Sequence, residues 1–252
     1  MKLLAIFFVY AVALSIALRR AGFRAAGAAA APAPTPAPRS APTRILIIGA
    51  TGGTGRALVA AALERGLVVT ALARNPKDLA IEHPKLRVVA GNVLDHASID
   101  AAVRGQDAVL SALGHRRYLG PSRILSEGTR NLLRAMEAHR VSRFVCETSL
   151  GIGDSAGRLG LYYTLFVIPV VLPFYFWDKT RQERLMAGSD LDWVIVRPGA
   201  LTNGAKRGNL RHGARVGNFL WTVRVSRADV AEFMLNQLTD DAYLRAAPGV
   251  SH

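Results

Sequence analysis

Cysteine is almost missing from this chain. Cys146 stands alone, which excludes a disulfide framework, and no Cys/His pattern falls at metal-ligand spacing. No metal site is therefore expected. Acidic residues are also scarce, 18 against 32 Lys and Arg in 252 residues, for a formal charge of +14. That surplus suits phosphate-bearing ligands or an anionic membrane surface. It would also suit nucleic acid, but no helix-turn-helix, zinc-finger or RNA-binding signature is present, so no nucleic-acid partner is expected. Internal repeats are absent too.

No uncharged run reaches the roughly 20 residues of a full membrane span. Leu3 to Leu18 comes near, with Ser15 as its only clearly polar residue. As a helix it would measure about 24 Å, against a hydrocarbon core of about 30 Å. Arg19, Arg20 and Arg24 follow it, and only Lys2 precedes it. By the positive-inside rule the flank after the run stays in the cytoplasm. Residues 1–20 thus read as a hydrophobic helix in the inner or plasma membrane, with residues 3–18 as the membrane contact. The alternative is an export signal cleaved near Ala30, where small residues cluster.

Residues 21–43 are a linker. Ten of these 23 residues are Ala and five are Pro, a composition that favours extended polyproline II and cannot build a core. Residues 1–43 carry five basic residues and no acid, and the remainder has 27 basic against 18 acidic, a net +9. The globular domain is expected over residues 44–252.

What the domain does have begins at Arg44. Ile45 to Ile48 is a short uncharged strand signal, as for a strand buried on both faces of a parallel sheet. It runs into Gly49-Ala50-Thr51-Gly52-Gly53-Thr54-Gly55. A helical stripe of Leu58, Val59, Ala62 and Leu63 follows and stops at Gly66. A second strand, Leu67 to Ala73, ends on Arg74. Strand, glycine loop, helix and strand make half of a dinucleotide-binding fold. Gly49 allows the tight turn, Gly52 the approach of a pyrophosphate to the backbone, and Gly55 close helix–sheet packing. The helix N-terminus offers N–H groups and a positive dipole end to phosphate. The spacing is G-x-x-G-x-x-G; a merely tight turn is the bland alternative, and the strand-to-helix context argues against it.

Arg74 sharpens the cofactor. Sites that prefer NAD usually place an acid there to accept from the ribose 2′-OH. A guanidinium instead suits a 2′-phosphate, so NADP(H) is expected over NAD(H). A solvated surface Arg is the competing reading.

The alternation continues. Strand signals cover Leu86 to Ala90, Asp107 to Gly114, Arg143 to Ser149 and Trp193 to Arg197. Helical signals cover Ile99 to Val103, Pro121 to His139 and Ser226 to Leu238, the last with Ser226 as N-cap and Asp229 three residues on. The expected fold class is α/β, a single Rossmann-like, doubly wound parallel sheet.

The pieces ILIIGATGGTGR, GNVLD, GQDAVLSALG, LSEGTRNLLRAMEAH, ETSLG, LDWVIVRPG and SRADVAEFML, in this order, resemble the atypical short-chain dehydrogenases/reductases. Within them the chain is similar to the group of biliverdin-IXβ (flavin) reductases and NmrA-like proteins. The resemblance implies that Gly49, Thr51, Gly52, Gly53, Thr54 and Gly55 hold the pyrophosphate and Arg74 the 2′-phosphate. It places Asn92, where relatives have Asp, near the adenine with Val93 beside it. Leu113 and Gly114 would line the adenosine side, Pro198 would complete the cofactor site, and Ser149 would face the substrate. Much of the superfamily uses Tyr-x-x-x-Lys to pass a proton as the nicotinamide passes a hydride. Tyr175 and Lys179 have that spacing, which puts both on one helix face. Pro173 leaves another reading open, with a helix starting near Asp178 as its N-cap, Tyr175 in a loop, and Lys179 and Glu183 as a surface pair.

Leu161 to Trp177 is a second long uncharged run, broken by Pro169 and Pro173. It reads as a buried lid over the nicotinamide, as an apolar substrate pocket, or as a surface dipping into a bilayer. The functions implied are an NADPH-dependent reductase acting on a small lipophilic or aromatic acceptor of quinone, flavin or tetrapyrrole type, a non-catalytic NADP(H) sensor, or a membrane-tethered assembly factor.

Overall fold

The computed structural model describes residues 41–115 and 120–252, together with Val9 and Ala13. The expected anchor and residues 21–40 of the linker lie otherwise outside the described residues. Among those described, no helix is long and apolar enough to cross a membrane.

β1 (Arg44–Ile48), α1 (Gly53–Glu64) and β2 (Val68–Ala73) form the first unit. They are followed by β3 (Leu86–Ala90), α2 (His96–Val103), β4 (Ala108–Ser111), α3 (Ile124–His139) and β5 (Arg143–Glu147). A π-helical segment, Tyr163–Val171, leads into α4 (Pro173–Ala187) and β6 (Asp192–Pro198). The chain closes with β7 (Ala200–Thr202), β8 (Arg211–Gly213), β9 (Arg224–Ser226), α5 (Arg227–Asn236) and β10 (Gly249–Ser251). The main sheet has eight strands in the order β3-β2-β1-β4-β5-β6-β10-β8, and β7 pairs with β9 in a small second sheet. All pairs in the main sheet are parallel except β10 with β8. The doubly wound sheet thus carries one antiparallel edge strand, a common addition to such folds. β10 carries the sheet to Ser251, near the end of the expected domain.

The pleat sorts β1 between two cores, because successive side chains of a strand face opposite ways. Ile45 and Ile47 pack with Leu58 and Val59 of α1 and with Val230 and Met234 of α5. Leu46 and Ile48 pack with Ile99 of α2, Leu132 and Met136 of α3, and Met186 of α4. Cys146 belongs to this second core. Burial pushes its thiol up to about 12, so it behaves as a small apolar side chain rather than a nucleophile. A third, smaller cluster of Leu150, Ile152, Leu159, Ile168, Phe176 and Val216 forms beyond the ends of β5 and β6.

Two helix ends depart from expectation. α4 starts at Pro173, with the proline in its first turn, where its missing N–H has no intrahelical partner to lose. Tyr175, Asp178 and Lys179 all lie inside this helix. Asp178 does cap a helix, but a different one. Its carboxylate accepts from the Leu125 and Ser126 N–H groups at 2.9 and 3.2 Å and from Ser126 Oγ at 2.5 Å, at the start of α3. At the head of α5 the expected cap is present: Ser226 Oγ accepts from the Asp229 N–H at 3.0 Å.

Candidate active site

The strand order reverses between β1 and β4, and the crevice at such a switch point is where open α/β sheets take ligands. Gly49 leaves β1 at φ +79°, and a Cβ there would meet the Ala112 carbonyl oxygen at 2.5 Å. A Cβ on Gly55 would lie 2.7 Å from the Gly49 carbonyl carbon and 2.8 Å from Ala50 Cα. The loop therefore folds this tightly only with glycine at both places. Gly52 donates its N–H back to Gly49 O at 2.9 Å. No side chain caps α1 at Gly52, and its first turn has no acid. The first-turn N–H groups are left for an anion. A Cβ at Gly52 would already press on Gly49 O, at 3.2 Å, with no other heavy atom within 4 Å. This cradle fits a pyrophosphate.

Arg74 is exposed immediately after β2. A second guanidinium reaches the same corner: Arg56, on α1, donates to Thr51 O at 3.0 Å and to Asp78 O at 2.7 Å. Asn92 is exposed after β3, and its side-chain carbonyl accepts from the Leu94 N–H at 3.1 Å. Val93 is buried and its carbonyl accepts from Asn131 at 2.9 Å. Leu113 and Gly114 follow β4, beside Gly49.

The other half of the site hangs on α4. The Tyr175 hydroxyl stands over Gly114, where a side chain would begin only 3.4 Å from it. His115 packs edge-on against the same ring, centroids 4.9 Å apart. One turn on, the Lys179 ammonium lies 5.3 Å from the Tyr175 ring centre. Lys179 is only 4% exposed and donates to the Glu147 carbonyl at 3.4 Å. Burial favours its neutral form, but the acidic groups around it, Tyr175 first and then Glu147, outweigh that and hold its pKa above the ordinary lysine value. The surface-pair reading of Lys179 with Glu183 fails. Both are buried, and the Glu183 carboxylate takes Arg197 at 2.7 and 3.1 Å and Thr148 at 2.6 Å. Asp154 adds another partner for Arg197 at 2.5 Å, tying the loop after β5 to α4 and β6.

Glu147 carries no site signal in the sequence. It ends β5, is buried, and accepts from Thr54 Oγ1 at 3.1 Å. The Thr54 hydroxyl thus faces the sheet, leaving its N–H for the loop. Burial raises the Glu147 carboxyl above its ordinary value, and Lys179, Thr54 and Arg227 offset this only in part. Arg227, the first residue of α5, is the other missed group. Its side chain lies against Gly53, where a Cβ would come within 2.5 Å of Nε, and it donates to Asn203 at 2.6 Å. Only its place in the SRADVAEFML piece hinted at it. Ser149 is half-buried and donates to the Leu150 carbonyl at 2.9 Å. Pro198 is buried at the end of β6, its carbonyl accepting from the Leu150 N–H at 3.0 Å.

The sequence profile of a family described as NAD(P)H-binding matches residues 49–241. An uncharacterized chloroplastic protein of Arabidopsis thaliana is 29% identical over 211 residues, 79% of this chain and 72% of that protein. Among solved structures, ChuY, an anaerobillin reductase from Escherichia coli O157:H7, aligns with a TM-score of 0.68 and 25% identity over 83% of this chain and 97% of its own. A short-chain dehydrogenase/reductase from Veillonella parvula, in complex with NADP, aligns with a TM-score of 0.71 and 18% identity over 84% of this chain and 95% of that one.

Proposed function

Because this chain belongs to the NAD(P)H-binding family, we propose that it is an NADPH-dependent reductase whose acceptor is small and lipophilic or aromatic, of quinone, flavin or tetrapyrrole type. The observation that carries the reading is the pair on α4: a buried, cationic Lys179 one helical turn from a Tyr175 hydroxyl that overhangs Gly114 at the switch point. A reduced nicotinamide supplies a hydride to such an acceptor.

The chain's own residues divide the remaining work. The first-turn N–H groups of α1 and the Arg227 guanidinium bind the pyrophosphate, and Arg74 with Arg56 binds the 2′-phosphate through charge-assisted hydrogen bonds. The second guanidinium, and an arginine rather than an acid at the end of β2, favour NADPH over NADH. Lys179 holds positive charge beside the phenol, and Tyr175 gives its proton to the acceptor atom that gains electrons. Ser149 Oγ, whose proton points to Leu150 O, offers its lone pairs to the acceptor. The apolar cluster around Ile168 and Phe176 excludes water on that side. An acceptor class of this kind agrees with ChuY being an anaerobillin reductase.

The test is NADPH oxidation by the purified full chain with menadione, FMN and biliverdin as acceptors, followed by loss of nicotinamide absorbance. Turnover with at least one of them, faster with NADPH than with NADH, is expected. Tight NADPH binding with no turnover on any acceptor would instead favour the non-catalytic sensor or assembly factor.

A further inference from the structure

Ten large hydrophobic side chains stand exposed in the described domain, and eight of them fall on two short segments. Tyr162, Leu165, Phe166, Val171 and Phe174 belong to the π-helical segment and its ends; Phe219, Leu220 and Trp221 form a turn before β9. Trp221 is 73% exposed and Tyr162 61%. Scattered exposed apolar residues are ordinary, but a contiguous group marks a contact surface.

The two segments are joined by the backbone. Leu159 bridges to Asn218, the Asn218 N–H donates to Arg158 O at 2.8 Å, and the Leu161 N–H donates to Leu220 O at 3.4 Å. Asn218 Oδ1 accepts from the Leu220 and Trp221 N–H groups at 2.8 and 2.9 Å, which holds the turn in shape. Gly160, at φ +97°, sits against it so closely that a Cβ would come 2.7 Å from the Trp221 carbonyl carbon. On the neighbouring helical surface Tyr162 stacks on Phe166, centroids 5.8 Å apart. The turn is thus built to present three consecutive apolar side chains outward beside an aromatic pair.

The charge around it has one sign. Residues 199–228 contain six Lys or Arg and no acid, and residues 155–177 contain Arg158 and no acid. Arg211, Arg215 and Arg224, within ten residues of the turn in sequence, are exposed. An apolar group that includes an exposed Trp and Tyr and is flanked in sequence by cations alone is the pattern of a surface that sits in the headgroup layer of an anionic bilayer, about 5–10 Å deep. A second copy of this chain would bring the same cations face to face and be repelled.

We propose that the turn Asn218–Trp221 and the exposed face of Tyr162–Phe174 dock the domain on an anionic lipid surface. This docking is independent of the reaction proposed above and of any attachment through residues 3–18.

The test places an environment-sensitive NBD fluorophore at Leu220→Cys in the full chain. Cys146, fully buried, is shielded from the label. Glu82→Cys, on the exposed loop before β3, serves as the control position. With vesicles of equal phosphatidylglycerol and phosphatidylcholine, the Leu220 label is expected to shift to the blue and brighten several-fold, while the Glu82 label stays unchanged. Arg215→Glu with Arg224→Glu should weaken that response, as should high salt. No change at Leu220 while the protein sediments with vesicles would mean attachment through another segment and would overturn the proposal. So would an equal response on pure phosphatidylcholine, or a shift without vesicles that grows with protein concentration, the mark of self-association.

Discussion

Lys179 reaches across the core from α4 to donate to the backbone carbonyl of Glu147, 32 positions earlier, at 3.4 Å. Glu147 in turn accepts from Thr54, 93 positions earlier still, at 3.1 Å. One buried path therefore connects the glycine loop, the end of β5 and the Tyr175–Lys179 pair. A change at any of the three is felt where cofactor and acceptor would meet.

Tyr175→Phe removes the hydroxyl and keeps the ring against His115. If Tyr175 is the proton donor, kcat should fall about 10²–10⁴-fold with NADPH affinity unchanged. Steady-state kinetics with any working acceptor, alongside calorimetric titration of NADPH, gives both quantities. An unchanged kcat would mean that solvent supplies the proton.

Arg74→Ala should weaken NADPH binding roughly tenfold to a hundredfold, the worth of one hydrogen bond to a charged group, and leave NADH binding nearly unchanged. Arg56→Ala should act in the same direction and also loosen the loop, since it bridges Thr51 and Asp78. Calorimetry with both cofactors decides; equal losses for the two would sink the assignment to the 2′-phosphate.

Two glycines of the loop should respond differently. Gly52→Val, at φ −75° and with only the Gly49 carbonyl oxygen close to a Cβ, at 3.2 Å, should shift the melting transition little and abolish binding of both cofactors. Gly55→Val would drive its Cβ to 2.7 Å from the Gly49 carbonyl carbon and 2.8 Å from Ala50 Cα and should lower the melting temperature sharply or prevent folding. Thermal melts with and without NADPH separate the cases. Normal NADPH binding by Gly52→Val would reduce the loop to a turn.

Asp229 contributes stability with a defined pH window. It accepts from the N–H groups of Arg207 and Gly208 at 3.1 Å and from Ser226 Oγ at 2.5 Å. Burial opposes its ionisation, but these bonds and His252 outweigh it, so its pKa lies below 3.8. A carboxylate with a lowered folded pKa stabilises above its unfolded value and loses that contribution as pH falls through the folded one. Asp229→Ala should therefore cost about 1–3 kcal/mol near neutral pH, and the gap to the unmodified protein should close below pH 3.8. Urea unfolding at a series of pH values measures it; a gap constant with pH would contradict the ionic account.

The sequence alone determined the dinucleotide-binding unit, because its signals are local. An uncharged strand, three spaced glycines, an amphipathic stripe and Arg74 lie within 31 consecutive residues, and each dictates backbone geometry over a few neighbours. The same holds for the Ser226 cap and for the strand–helix alternation, whose ends nevertheless moved: β4 stops at Ser111 and α3 starts at Ile124, since edges depend on what packs against them. Tertiary structure decided everything that rests on distant partners. Asp178 reads as the cap of its own helix, yet it caps α3 because folding brings the bare N–H groups of residues 125 and 126 to it. Lys179 and Glu183 have the spacing of a surface pair, yet the sheet buries both and hands Glu183 to Arg197. The Phe219–Trp221 turn carries no local pattern, and Glu147 and Arg227 carry only their places in the ETSLG and SRADVAEFML pieces. Their roles arise only when β5, α5 and the segment before β9 are packed against the glycine loop and the π-helical segment, because burial and charge proximity are properties of the packed chain and not of neighbours in sequence.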